Sequence, residues 1–186
     1  VGDSLSKIKV YVTATNQFSC SIRDSISVTI RDTVPNLNPD FVYQNIVMDS
    51  TIKSMWVHKK GWLMSNPAME LLPTESIVFS FDKLVSDLGN YYYTVIHCTS
   101  DWKKSDLIQS QYIDGFFQDF IQSFKFSFNT YKNFIHYEVT IPNKNMKIIQ
   151  TGNYILKVFK DNDPEKTVFT KRFQIYENQM ILKSSV

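Results

Sequence analysis

Apolar and polar residues alternate with period two through most of this chain, and the alternation stops at intervals on turn-forming residues. Two such segments open the sequence, at 7–14 (Lys-Ile-Lys-Val-Tyr-Val-Thr-Ala) and 25–30, with Thr15-Asn16-Gln17 as the turn after the first. Past residue 40 the same pattern predicts strands at 45–48, 51–58, 69–72, 76–82, 91–99, 123–128, 134–141, 154–160 and 167–176. Their count and spacing predict an all-β fold of two packed antiparallel sheets. Only 107–120 has room for a helical turn or two, and Gly115 argues that any such element is broken.

The stretch Gly152-Asn153-Tyr154-Ile155-Leu156-Lys157-Val158-Phe159 specifies the kind of sandwich. A glycine there supplies a turn conformation that a side chain disfavours. Two residues on, a tyrosine buries its ring while its hydroxyl bonds back to nearby main chain, as at the corner of an immunoglobulin-like sandwich. Gly152 and Tyr154 are therefore the predicted structural residues. Asp161-Asn162-Asp163-Pro164-Glu165-Lys166 has turn chemistry, and the next strand follows with Val168, Phe169, Phe173 and Ile175 among its apolar residues.

An isolated hairpin is marginal in water, so the two opening segments need completion by something else. Tyr11-Val12-Thr13-Ala14-Thr15-Asn16, Cys20 and Asp24-Ser25-Ile26-Ser27-Val28-Thr29-Ile30 resemble the last two strands of a polycystic-kidney-disease-type (PKD) repeat, an immunoglobulin-like module common in bacterial surface proteins. The rest of that repeat is expected before Val1. Asp32-Thr33-Val34-Pro35-Asn36-Leu37-Asn38-Pro39-Asp40 holds two prolines and two asparagines, which suits an extended connection. The expected organisation is a PKD-like piece over 1–33, a linker over 34–40, an immunoglobulin-like antiparallel β-sandwich over 41–180, and the start of a linker to a following domain over 181–186.

Charge and motifs narrow the chemistry. A formal net charge of +2 gives no footprint for nucleic acid, and Lys103, Lys125, Lys132 and Lys157 stand singly between aromatics as on a solvated sheet face. No apolar run approaches the roughly 20 residues of a membrane helix, so direct insertion as a helix is not expected. Cys20 and Cys98 leave three arrangements open: a bridge between them, a partner for Cys20 upstream, or buried thiols. His58, His97 and His136 are scattered, which disfavours zinc. Asp82, Asp87, Asp106 and Asp114 lack the dense Asp-x-Asp-x-Asp spacing of a calcium loop, and Asp101 reads as the cap of a turn. With no Gly-x-Ser-x-Gly, phosphate loop or His-Glu-x-x-His, no enzyme, cofactor or small-molecule substrate is expected.

Aromatic residues are the remaining signal. Trp102, Tyr112, Phe116 and Phe117 cluster in a long crossing loop beside Lys103 and Lys104, the mixture of aromatics and charge that marks an interface. These six residues are the candidate partner-binding set. The competing reading is that the loop closes the open end of its own sandwich.

Residues 52–178 resemble the first domain of the plug proteins of the bacterial type IX secretion system. The resemblance rests on an ordered series of motifs: Gly61-Trp62, Pro67-Ala68-Met69-Glu70-Leu71, Ile77-Val78-Phe79-Ser80-Phe81-Asp82, Asn90-Tyr91-Tyr92-Tyr93-Thr94-Val95-Ile96-His97-Cys98 and Asp101-Trp102. Ser110-Gln111-Tyr112-Ile113-Asp114-Gly115-Phe116, Phe126-Ser127-Phe128-Asn129-Thr130, His136-Tyr137, Pro142-Asn143 and Gly152-Asn153-Tyr154 continue it. It implies a non-enzymatic periplasmic component, peripherally associated with the outer membrane, that closes the periplasmic mouth of an outer-membrane β-barrel translocon when no cargo is passing. The alternative is a PKD-plus-sandwich binding module of a secreted or cell-surface protein that contacts glycan or protein.

Overall fold

The computed structural model describes residues 5–15, 21–31, 43–72, 74–84 and 87–178, and the chain divides into two units, Val1–Asn38 and Pro39–Val186. In the first unit, β1 (Leu5–Thr15) and β2 (Ser21–Arg31) pair antiparallel in unbroken register from Leu5↔Arg31 to Thr15↔Ser21. Both strands run past the ends that alternation marks. Cys20 and the 34–40 connection lie outside the described residues.

The second unit builds one sheet from β10 (Ser123–Phe126), β11 (Ile135–Ile141), β6 (Ile77–Lys83) and β4 (Ile52–Lys59), paired in that order. A second sheet runs β3 (Ile46–Val47), β14 (Thr167–Tyr176), β13 (Gly152–Lys160), β7 (Tyr91–Cys98) and β9 (Gln118–Phe120), with β5 (Ala68–Glu70) lying parallel to the end of β14. A short ladder joins β8 (Ile113–Gly115) to β12 (Met146–Ile148). The expected all-β sandwich is present. The long strands match their predicted spans closely, whereas 69–72 and 123–128 are shortened to β5 and β10. In 107–120 one 3-10 turn, Gln109–Gln111, is followed by β8 and β9, and neither these two strands nor β12 shows in the alternation.

Period two explains the core. Ile135, Tyr137, Val139 and Ile141 on β11 and Tyr91, Tyr93 and Val95 on β7 are buried, while the intervening residues face outward. Aromatic rings meet edge-on between the sheets, with centroids 5.2 Å apart for Phe79 and Phe173 and 5.0 Å for Phe81 and Phe169. Within each sheet, the directly paired residues Phe81 and Tyr137 stack at 5.1 Å, and Tyr154 and Phe173 at 5.4 Å.

At the corner, Tyr154 is wholly buried and its hydroxyl donates to the Gln150 carbonyl at 2.6 Å. Gly152 has φ +145°, and a Cβ there would stand 2.4 Å from Nε2 of His97. That nitrogen donates to the Thr151 carbonyl at 3.2 Å, which leaves Nδ1 to accept from the Ser105 hydroxyl at 2.8 Å. The corner is thereby tied to the loop that leaves β7.

Candidate functional site

Beyond Cys98 the chain reverses tightly. The Thr99 N–H donates to the Lys103 carbonyl at 2.8 Å, and the Trp102 N–H donates to the Thr99 carbonyl at 3.0 Å. Trp102 is held at φ +60°, a left-handed conformation that costs a bulky residue about 1–3 kcal/mol. Its indole lies 4.4 Å from the Arg172 guanidinium, and Arg172 Nε donates in turn to the Tyr43 carbonyl at 2.7 Å. The stack holds Trp102 half-buried while Lys103 and Lys104 stay exposed.

The loop then returns to the core. Leu107 packs against it, and Tyr112 is buried, its hydroxyl 3.4 Å from the Val95 carbonyl and its ring beside those of His97 and Tyr154. Past β8 the loop emerges again. Phe116 and Phe117 are 62% and 42% exposed, yet their backbones are pinned. The Phe116 N–H donates to the Asn145 carbonyl at 2.8 Å, and the Thr94 hydroxyl donates to the Phe117 carbonyl at 2.7 Å. The six sequence-predicted residues therefore separate into a basic tip (Trp102, Lys103, Lys104), an aromatic tip (Phe116, Phe117) and a buried root (Tyr112). Between the tips lies an open groove of about 1270 Å³, with Thr94 and Ile96 of β7 and Lys157 of β13 among its lining.

The remaining candidates have structural partners or none. His136 Nδ1 lies 2.7 Å from an Asp82 carboxylate oxygen, and the Lys83 ammonium lies 3.0 Å from that of Asp87. Asp101, Asp106 and Asp114 are exposed. Among the described residues no three His, Cys, Asp or Glu side chains are grouped to hold a metal ion. Cys98 is a buried free thiol, and burial pushes its pKa up to about 11 against the pull of Arg172, so it is protonated at neutral pH.

One surface escaped the sequence reading. Phe124 and Phe126 of β10 and Phe128 and Tyr131 of the following turn are exposed, Phe128 by 92%. Their alternation is visible in the sequence, but it marks only a strand. That β10 is the last strand of its sheet, with Phe124 and Phe126 opposite buried Tyr137 and Ile135, emerges from the pairing order.

Residues 52–177 match the family described as type 9 secretion system plug protein 1st domain. The chain belongs to this family. The plug-family match begins at β4 and runs to the end of β14, so it contains both tips, the root and the corner, and it excludes β1 and β2. Among solved structures the plug-family chain is similar to a hypothetical protein from Parabacteroides merdae ATCC 43184, at 32% identity and a TM-score of 0.69, covering 72% of this chain and 34% of that one. It thus spans about a third of that protein's length. No curated protein matches the chain. No helix among the described residues is long and apolar enough to cross a membrane.

Proposed function

We propose that this domain acts in type IX secretion as a non-enzymatic stopper. In this reading it lies in the periplasm against the outer membrane and closes the periplasmic mouth of the β-barrel translocon when no cargo is passing. The exposed tips of the 102–117 loop are the contact. Family membership supplies the setting, and the observation that carries the contact is the loop's construction. Tyr112 and Ile113 root it in the core, so two solvent-exposed tips, one basic and one aromatic, are held on a rigid base. A pore wide enough for folded cargo leaks unless blocked. A packed sandwich suits that task because its sheets resist deformation while its loops fit a rim.

Capture of the translocon from solubilised outer membranes tests this reading. The double substitution Lys103→Glu/Lys104→Glu is expected to leave the melting transition unchanged, since both side chains are solvated, and to weaken capture by about tenfold. Unchanged capture removes the loop as the contact. The exposed Phe124, Phe126, Phe128 and Tyr131 favour a second reading, a binding module that meets another protein or a glycan through its sheet edge. Loss of capture in Phe126→Ser/Phe128→Ser alone would select that edge instead.

A further inference from the structure

Lys157 projects from the outer face of β13, between Thr94 of β7 and Thr170 of β14, into the groove beneath the 102–117 loop. It is half-buried, and its neighbouring hydroxyls, which donate to the Phe117 and Gln44 carbonyls, carry no charge to balance it. Three other lysines withdrawn from solvent are paired, Lys59 with Glu75, Lys83 with Asp87 and Lys160 with Asp49. No described carboxylate comes within 4.0 Å of Lys157, and Glu165 acts on it only at longer range. Burial accordingly lowers its ammonium pKa from the ordinary value of 10.5. A desolvated cation without a counter-charge is costly, and the cost is relieved when an anion arrives.

The groove around this cation is open and apolar at its lips. Ile108, Phe116 and Phe117 are exposed along it, and the charged side chains that line it are Lys104, Lys157 and Asp106, a surplus of one positive charge. About 1270 Å³ is more room than a small anion needs, which suits an elongated occupant.

We propose that this groove binds an extended, acidic segment of a partner protein, seating one Asp or Glu carboxylate on the Lys157 ammonium and its flanking apolar side chains against Ile108, Phe116 and Phe117. The proposal rests on the 102–117 loop being the contact surface, and it gives that contact its chemistry. An apolar segment without a carboxylate would cover the half-buried cation and leave it unpaired, so a single acid in the segment sets the selectivity.

The test titrates isotope-labelled protein with two nine-residue peptides of alternating leucine and threonine, one with a central glutamate and the other with glutamine. The glutamate peptide is expected to shift the amides of Thr94, Ile96, Phe116 and Lys157, and to bind about tenfold more tightly than its twin. Lys157→Gln should reduce that preference to about twofold or less while leaving the denaturant midpoint unchanged or raised, since it removes an unpaired cation. Equal binding of the two peptides by the native protein, shifts confined to another surface, or a preference that survives Lys157→Gln overturns the proposal. The peptide pair on the native protein decides the matter even if the variant fails to fold. The two readings fail separately. Indifference to the glutamate combined with lysine-dependent capture sinks only the groove chemistry, and glutamate selectivity combined with capture that ignores Lys103 and Lys104 sinks only the loop as translocon contact.

Discussion

Tyr154 and Tyr91 are both wholly buried in the same core and differ in what their hydroxyls meet. Tyr154 donates to the Gln150 carbonyl, whereas the Tyr91 hydroxyl has no hydrogen-bond partner among the described residues. Tyr154→Phe is therefore expected to lower stability by about 1 kcal/mol, and Tyr91→Phe to leave it unchanged or raise it by up to about 1 kcal/mol. Denaturant midpoints give the order, and the reverse order would mean that the corner bond does not hold the fold. Asp49 adds a pH dependence. Burial pulls its carboxyl upward, but the hydrogen bonds from Lys160 and Thr51 prevail and hold it at about 2, below the ordinary 3.8. A depressed folded pKa gives stability that is complete above about pH 4 and is lost as the pH falls toward 2. Allowing for solvent screening it amounts to on the order of 1 kcal/mol. Asp49→Asn should flatten the stability profile across that window, as read from midpoints at successive pH values. The corner tyrosine is legible in sequence because its acceptor lies four residues away. The Asp49–Lys160 pair spans 111 residues, and no local pattern announces it.

In the second unit, strands of seven residues or more show themselves by alternation because enough of each lies against the core to repeat the pattern. β8, β9 and β12 have three residues each, too few to display a period, and their pairing is set by where the loop lands. The same limit hides the groove, whose walls come mostly from one loop, with Tyr43 and Pro164 added, and whose floor comes from two strands far apart in sequence. Gly115 is the residue on which the β8–β12 ladder turns. It has φ +107°, and a Cβ there would come 2.2 Å from the Asn145 carbonyl oxygen. Gly115→Ala should cost more than about 2 kcal/mol, because the conformation is strained for any side chain and the obstacle is backbone. Amide shifts should spread through Phe116 and Phe117, since the Phe116 N–H bonds to that same carbonyl. A variant with a native midpoint and unmoved shifts would show that the ladder does not position the aromatic tip.

The second unit holds both sheets, the core they enclose and the whole family match. Residues 40–180 alone are expected to melt in one cooperative transition with an unchanged midpoint, because no strand of either sandwich sheet comes from the first unit. A broad, non-cooperative melt of the truncated chain would show that the opening hairpin contributes to the core. The stacked indole at the basic tip also has an optical consequence. Trp56 and Trp62 are 50% and 73% exposed, so their emission changes little on unfolding, whereas Trp102 is half-buried against a guanidinium. With Trp56 and Trp62 replaced by phenylalanine, the remaining fluorophore reports on one turn. A partner that lifts this turn off Arg172 would shift its emission to the red, and one that presses the turn down would shift it to the blue.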